Sequence, residues 1–300
     1  MIKNPWQALK ATLDRHGYAF QCRVADEIRH LSPWTLETQE FPVEVREQAT
    51  QIDLVAQRGS EDIYIVGECK LPHDRFPDWC FAMSAVLQPR GQFAGCVFER
   101  AVNATQFNGK PDFFCHPAWV AERDEKQLPA QHDFVFPVKL RNSPKGKDQE
   151  GREVAADSRD GRKLINDTIA QVCRGASGLL DYWQGNRFIH ENKRQLVLIP
   201  AVFTTASLWT CTRDLAEASL ETGVVSLKQE DVTEVGYAFH RCRVGPMLRS
   251  KLAARTGPSH YPSSFGTALT AEFLRTVVFV NIRSLKGFLN DAARWKIEHL

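Results

Sequence analysis

The sequence predicts an α/β (α+β) protein in which helices flank a central mixed sheet, and three observations carry that prediction. Apolar positions recur at helical spacing near the start and again over 164–184. A compact set of alternating and β-branched segments lies between 35 and 70. Later runs such as "QLVLIPAVFTTA" (195–206) are apolar almost throughout, the pattern of strands covered on both faces. With 300 residues and 43% hydrophobic content, the chain can bury a sizeable core as one elaborated domain or two modest ones.

Taken in order, residues 5–30 place Trp6, Leu9 and Leu13, then Phe20, Val24 and Ile28, at helical spacing interrupted at His16-Gly17, so two helices or one kinked helix are expected. "TLETQEFPVEV" (35–45), "QIDLVAQ" (51–57) and "DIYIVGECK" (62–70) form a three-stranded meander. From 71 to 163 the chain turns rich in Pro, Phe and Trp and ends in a charged stretch almost without aromatics. That segment is expected to be an insertion, with residues 142–163 a mobile loop. Leu164 to Trp183 follow helical spacing, although Gly175 and Gly178 lower the propensity. Strands are expected at 195–206, 223–228, 234–244 and 276–283, then a C-terminal helix from Leu285. The core is therefore expected in 1–70 and 164–300, the latter ending in a C-terminal sheet and helix extension.

The first twenty residues lack an apolar signal core, and the longest apolar run, Leu196 to Phe203, is too short to span a bilayer. A cytoplasmic protein without a membrane partner is expected. Eight cysteines without a CxxC pair do not suit a disulfide scaffold or a zinc site, and read best as reduced, buried small hydrophobes. The net charge of +2 is uninformative, but its distribution is uneven. Between Glu234 and Glu272 no acidic residue occurs, while Arg241, Arg243, Arg249, Lys251 and Arg255 fall in that window. Such a window is either a solvated surface balanced from elsewhere in the fold or a phosphate-contacting one.

The charges inside the meander are the sharper signal. If 51–57 and 63–70 form a hairpin closed by Gly59-Ser60-Glu61-Asp62, Arg58 faces Ile63 and Asp53 faces Glu68. Side chains alternate along a strand, so Glu68 and Lys70 share a face, and Asp53 joins them across the ladder. Two adjacent carboxylates raise each other's pKa unless a cation lies between them, and hard oxygen donors of this kind suit Mg²⁺ or Mn²⁺. The plain alternative is an edge hairpin with a cross-strand salt bridge.

"IDLVA" (52–56) followed by "YIVGECK" (64–70) resembles the second and third core strands of the PD-(D/E)xK nuclease superfamily, and the order helix, three strands, helix, strand is similar to its αβββαβ core. The resemblance covers about residues 5–70 and 164–205. It implies a restriction-endonuclease-like fold with a large insertion and a C-terminal extension, and a metal-dependent nuclease acting on DNA or RNA, DNA first. Asp53 and Glu68 would bind the metal, helped by the Cys69 carbonyl, and Lys70 would orient the attacking water. Many members carry a Glu on the first core helix after an aromatic residue. Here Phe20 is followed by Gln21, and Glu27 lies nearly two turns later, so either residue would be that helix's contribution. Gln171, on the helix after the insertion, would contact a substrate phosphate, and Arg241, Arg243, Arg249 and Lys251 would grip the backbone.

No GxSxG elbow, HExxH helix, P-loop or GxGxxG fingerprint competes with this site, and the neighbours Cys115 and His116 do not face each other productively along a chain. Two other functions remain: a catalytically inactive nuclease-like module for nucleic-acid binding or assembly, and an interaction scaffold with a protein partner or second copy on the 71–163 insertion.

Overall fold

The structure of the chain, a computed structural model, describes residues 4–45, 48–59, 63–72, 76–84, 93–100, 113–122, 130–138, 159–185, 195–242 and 276–299. Helices α1 (Pro5–His16) and α2 (Tyr18–Arg29) are separated by Gly17, whose φ of 71° lies in the left-handed region that glycine adopts without steric penalty. Asn4 caps α1 by accepting the Trp6 N–H. The apolar stripe of α1 stays exposed, whereas Val24, Ala25 and Ile28 of α2 are buried.

The meander forms as expected. β1 (Trp34–Val45), β2 (Gln48–Arg58) and β3 (Ile63–Lys70) pair antiparallel in sequence order. β3 then lies parallel to β9 (Gln195–Thr204), which is parallel to β13 (Thr276–Asn281). β12 (Tyr237–Arg241) joins β13 antiparallel, and the short β7 (Gln131–His132) closes that edge. All six residues of β13 are buried, which explains its nearly unbroken apolar sequence.

The 71–163 segment, expected as an insertion, contributes five strands to the sheets. Within it, β5 (Phe93–Arg100) pairs with the start of β9 and with β6 (Phe113–Glu122), and β6 pairs with β14 (Trp295–His299). β4 (Asp78–Met83) and β8 (Phe134–Val138) build a second, four-stranded sheet with β10 (Ser207–Asp214) and β11 (Val232–Val235). Part of the expected loop is helical: α3 runs from Arg159 to Gly185, so it takes in residues 159–163, while 142–158 lie outside the described residues.

The main sheet is covered on both faces. One face packs with α3 and the second sheet through Ile165, Val172, Trp79, Phe81 and Phe279. The other packs with α2 and helix α4 (Leu285–Ala292) through Val24, Ile28, Phe203, Phe239 and Phe288. Two expectations are corrected. Residues 223–228 form no strand: Val224 and Leu227 are exposed, and the Val224 backbone bonds to the turn before it, at Ser219 and Thr222. The C-terminus is not one helix: α4 stops at Ala292, and Trp295, fully buried, starts β14. Among the described residues no helix is long and apolar enough to cross a membrane.

Candidate metal-dependent active site

The site grows from the register of the meander. β2 and β3 pair Gln57 with Tyr64, Ala56 with Ile65, Val55 with Val66 and Leu54 with Gly67. The ladder ends at that pair, and continuing its register by one rung sets Asp53 opposite Glu68, close enough for its charge to raise the Glu68 carboxyl. The Asp53 Oδ2 accepts the Cys69 N–H at 2.6 Å, which draws its carboxylate to the end of β3. Lys70 Nζ lies 3.6 Å from Glu68 Oε1 on the same strand face. Glu68 is only 3% exposed. On β9 its rung partner is Val202, and that of Lys70 is Thr204.

Gly67 makes the rung possible. A Cβ there would come within 2.6 Å of both Leu54 Cδ1 and Phe203 Cε2, so no side chain fits between β2 and β9 at this point.

Gln21 reaches the site by a different route from a ligand. Its Nε2 donates to the backbone carbonyl of Asp53 at 3.0 Å, and the residue is buried. The amide ties α2 to β2 and fixes the backbone that presents Asp53. Glu27 stays on the outer side of α2, in an ion pair with Arg23, and is not brought to the carboxylates. The Cys69 side chain packs with the α2-side core, and burial pushes its thiol well above the usual range, with Asp53 and Glu68 adding to the rise.

A residue missed in the sequence is Glu40. β1 pairs Gln39 with Leu54 and Phe41 with Ile52, which sets Glu40 opposite Asp53 on the side away from Glu68. Three acidic residues therefore occupy one line across β1, β2 and β3. Glu40 has φ of 50°, unusual for a residue with a Cβ. The signal was available: β1 and β2 close with Val45 opposite Gln48, and counting back from so tight a connection reaches Glu40 and Asp53 together.

The charges respond to this crowding. Burial first, then the neighbouring Asp53, push the Glu68 carboxyl up to about 8, with Lys70 offsetting only part of the rise. Burial also raises Asp53, against the Cys69 N–H and Lys70, with Glu40 adding to the rise. Two carboxylates are donors of the type that suits a hard divalent cation, and because burial favours their protonated forms, a bound cation would draw them toward the ionised ones. Among the described residues no group of three or more His, Cys, Asp or Glu side chains is arranged to hold a metal ion.

Gln171 is half-buried on α3, the helix that packs against β2, β3 and β9. Arg241 is half-buried at the end of β12, opposite Thr276, with β9 and β13 between its strand and β3. Arg243, Arg249, Lys251 and Arg255 lie outside the described residues. Comparison with protein-family models, curated proteins and solved structures yields no match for the chain.

Proposed function

We propose that the protein is a divalent-metal-dependent nuclease with a restriction-endonuclease-like core, hydrolysing phosphodiester bonds of nucleic acid, DNA before RNA. The observation that carries the reading is the rung of Asp53 and buried Glu68 with Lys70 beside it. The order α2, β1 to β3, α3, β9, with β9 parallel beside β3, supports the same architecture.

In this reading Asp53, Glu68 and the Cys69 carbonyl hold Mg²⁺ or Mn²⁺. The bound cation would supply an acidified water and Lewis-acid stabilisation of a nonbridging phosphate oxygen. Lys70 orients the attacking water and places a fixed positive charge near the developing oxyanion. Gln21 holds Asp53 in place through its backbone and contributes no ligand charge.

Gln21 is also the observation that favours the second reading, an inactive nuclease-like binding module, since its amide is committed to the Asp53 carbonyl. Incubation with labelled DNA and RNA panels in Mg²⁺ or Mn²⁺, beside Lys70→Ala, separates the two. Cleavage lost in the variant supports the nuclease. Thermal stabilisation by metal without cleavage leaves the binding module, and the absence of both refutes the metal site.

A further inference from the structure

A cavity of about 390 Å³ opens where the second sheet meets β12 and α4, a size within the range of small-ligand sites. Its walls include Met83, Thr210, Tyr237, Phe288 and Asp291, with His132 among them. His132 is 3% exposed. Its Nδ1 lies 3.2 Å from the Phe239 carbonyl, and because a carbonyl only accepts, Nδ1 carries the proton. In the neutral ring Nε2 is then an acceptor, and it makes no hydrogen bond to any described residue. An acceptor on a buried side chain lining an open cavity is matched by a ligand that donates.

The neighbouring groups narrow the ligand further. Tyr237 and Phe288 present aromatic rings 5.4 Å apart, and Tyr237 Oη donates to Asp291 Oδ2 at 2.8 Å, so the carboxylate also accepts. Asp291 is already engaged by Tyr237 through Oδ2 and by Arg294 through Oδ1, so His132 Nε2 is the acceptor left for a donating ligand, beside a flat apolar body. The cavity also lies on the same edge of the sheet as the carboxylate rung. Lys70, Thr204 and Asn281 occupy one rung across β3, β9 and β13, and the Asn281 N–H donates to the carbonyl of Gly236 in the cavity wall. Three inter-strand steps, β3 to β9, β9 to β13 and β13 to Gly236, put that wall about 14 Å from Lys70.

We propose that this cavity takes one unstacked nucleobase of the nucleic-acid substrate, whose ring N–H or exocyclic amine donates to His132 Nε2. The proposal rests on the nuclease reading for its source of bases, and aromatic walls with few hydrogen bonds suit single-stranded bases.

Gly287 supplies the test. It lines the cavity in α4, and a Cβ built there meets nothing within 4 Å. Gly287→Leu fills the cavity while raising helix propensity, so the variant is expected to fold at least as stably as the parent. Nucleoside binding is followed by NMR line broadening, and affinity for a fluorescent single-stranded oligonucleotide is measured in Ca²⁺, for the parent, Gly287→Leu and Lys70→Ala. Nucleosides should bind the parent and Lys70→Ala alike, and Gly287→Leu should weaken both nucleoside and oligonucleotide about tenfold. Undetected nucleoside binding, or binding that Gly287→Leu leaves unchanged, overturns the proposal. Loss of nucleoside binding with oligonucleotide affinity intact also overturns it, since the cavity would then serve free nucleosides. Nucleoside binding to a protein that shows no metal-dependent thermal shift counts against the nuclease reading alone.

Discussion

Glu68 gives the metal-free protein a defined pH response. Its carboxyl sits near 8 in the folded chain against 4.5 when free, so the fold binds that proton more tightly than the unfolded chain does. The associated stability is complete below about pH 4.5 and is lost as pH rises through about 8. At about 1.4 kcal/mol per pKa unit, the loss amounts to a few kcal/mol. Urea midpoints should fall between pH 5 and pH 8.5 without metal and recover with Mg²⁺, and Asp53→Asn should shrink the fall. A midpoint independent of pH over that window would contradict the electrostatic account. Gln21 allows a second check at this scale. Gln21→Glu places another carboxylate against the Asp53 carbonyl, which can only accept, and should cost about 1–3 kcal/mol above neutral pH. Equal stability of that variant and the parent would show that the amide bond to Asp53 matters little. The facing of Asp53 and Glu68 was legible because hairpin loop length fixes register and register fixes which side chains meet. Glu40 was not read from the sequence, since "TLETQEFPVEV" alternates only loosely and gives no clear strand pattern from which to count its register.

At the scale of elements, the joint between β2, β3 and β9 depends on one missing methyl group. Gly67→Ala would press a Cβ against Leu54 and Phe203 and should destabilise the protein by about 1–3 kcal/mol, read by chemical denaturation. Metal-induced stabilisation should weaken along with it, because Glu68 is the next residue. A neutral Gly67→Ala would mean that the strands separate easily there. The elements that the sequence revealed are those with uniform surroundings: α2 with one buried face, and β9 and β13 enclosed by layers on both sides. Among the strands that the sequence did not reveal, β10 follows β9 after two residues and mixes buried and half-exposed positions, so its pattern has no single period. Residues 223–228 misled in the opposite direction, with β-branched residues that remain outside any sheet.

Across the whole molecule, the C-terminal elements are fastened to the meander by Arg58. The residue is buried, and Nη1 donates to the carbonyls of Ala292, Ala293 and Trp295 at 3.0, 3.1 and 2.8 Å. Arg58→Met keeps bulk but strands those acceptors, and should cost about 2–4 kcal/mol with faster hydrogen exchange across 285–299. Unchanged exchange there would show that the helix end is held by packing alone. The share of the 71–163 segment in both sheets could not be read from its composition, because partners such as β5 and β9 lie far apart in sequence and pairing at that distance leaves no local periodicity. The same separation bears on how the protein is made. Lys70 and its rung partner Thr204 are about 130 residues apart, which is roughly 7–26 s of translation at 5–20 residues per second. The hairpin carrying Asp53 and Glu68 can close within microseconds of leaving the ribosome, but the strand that buries Glu68 does not yet exist. During those seconds the two carboxylates are ordinary solvated acids, and the buried pair takes shape only when β9 arrives.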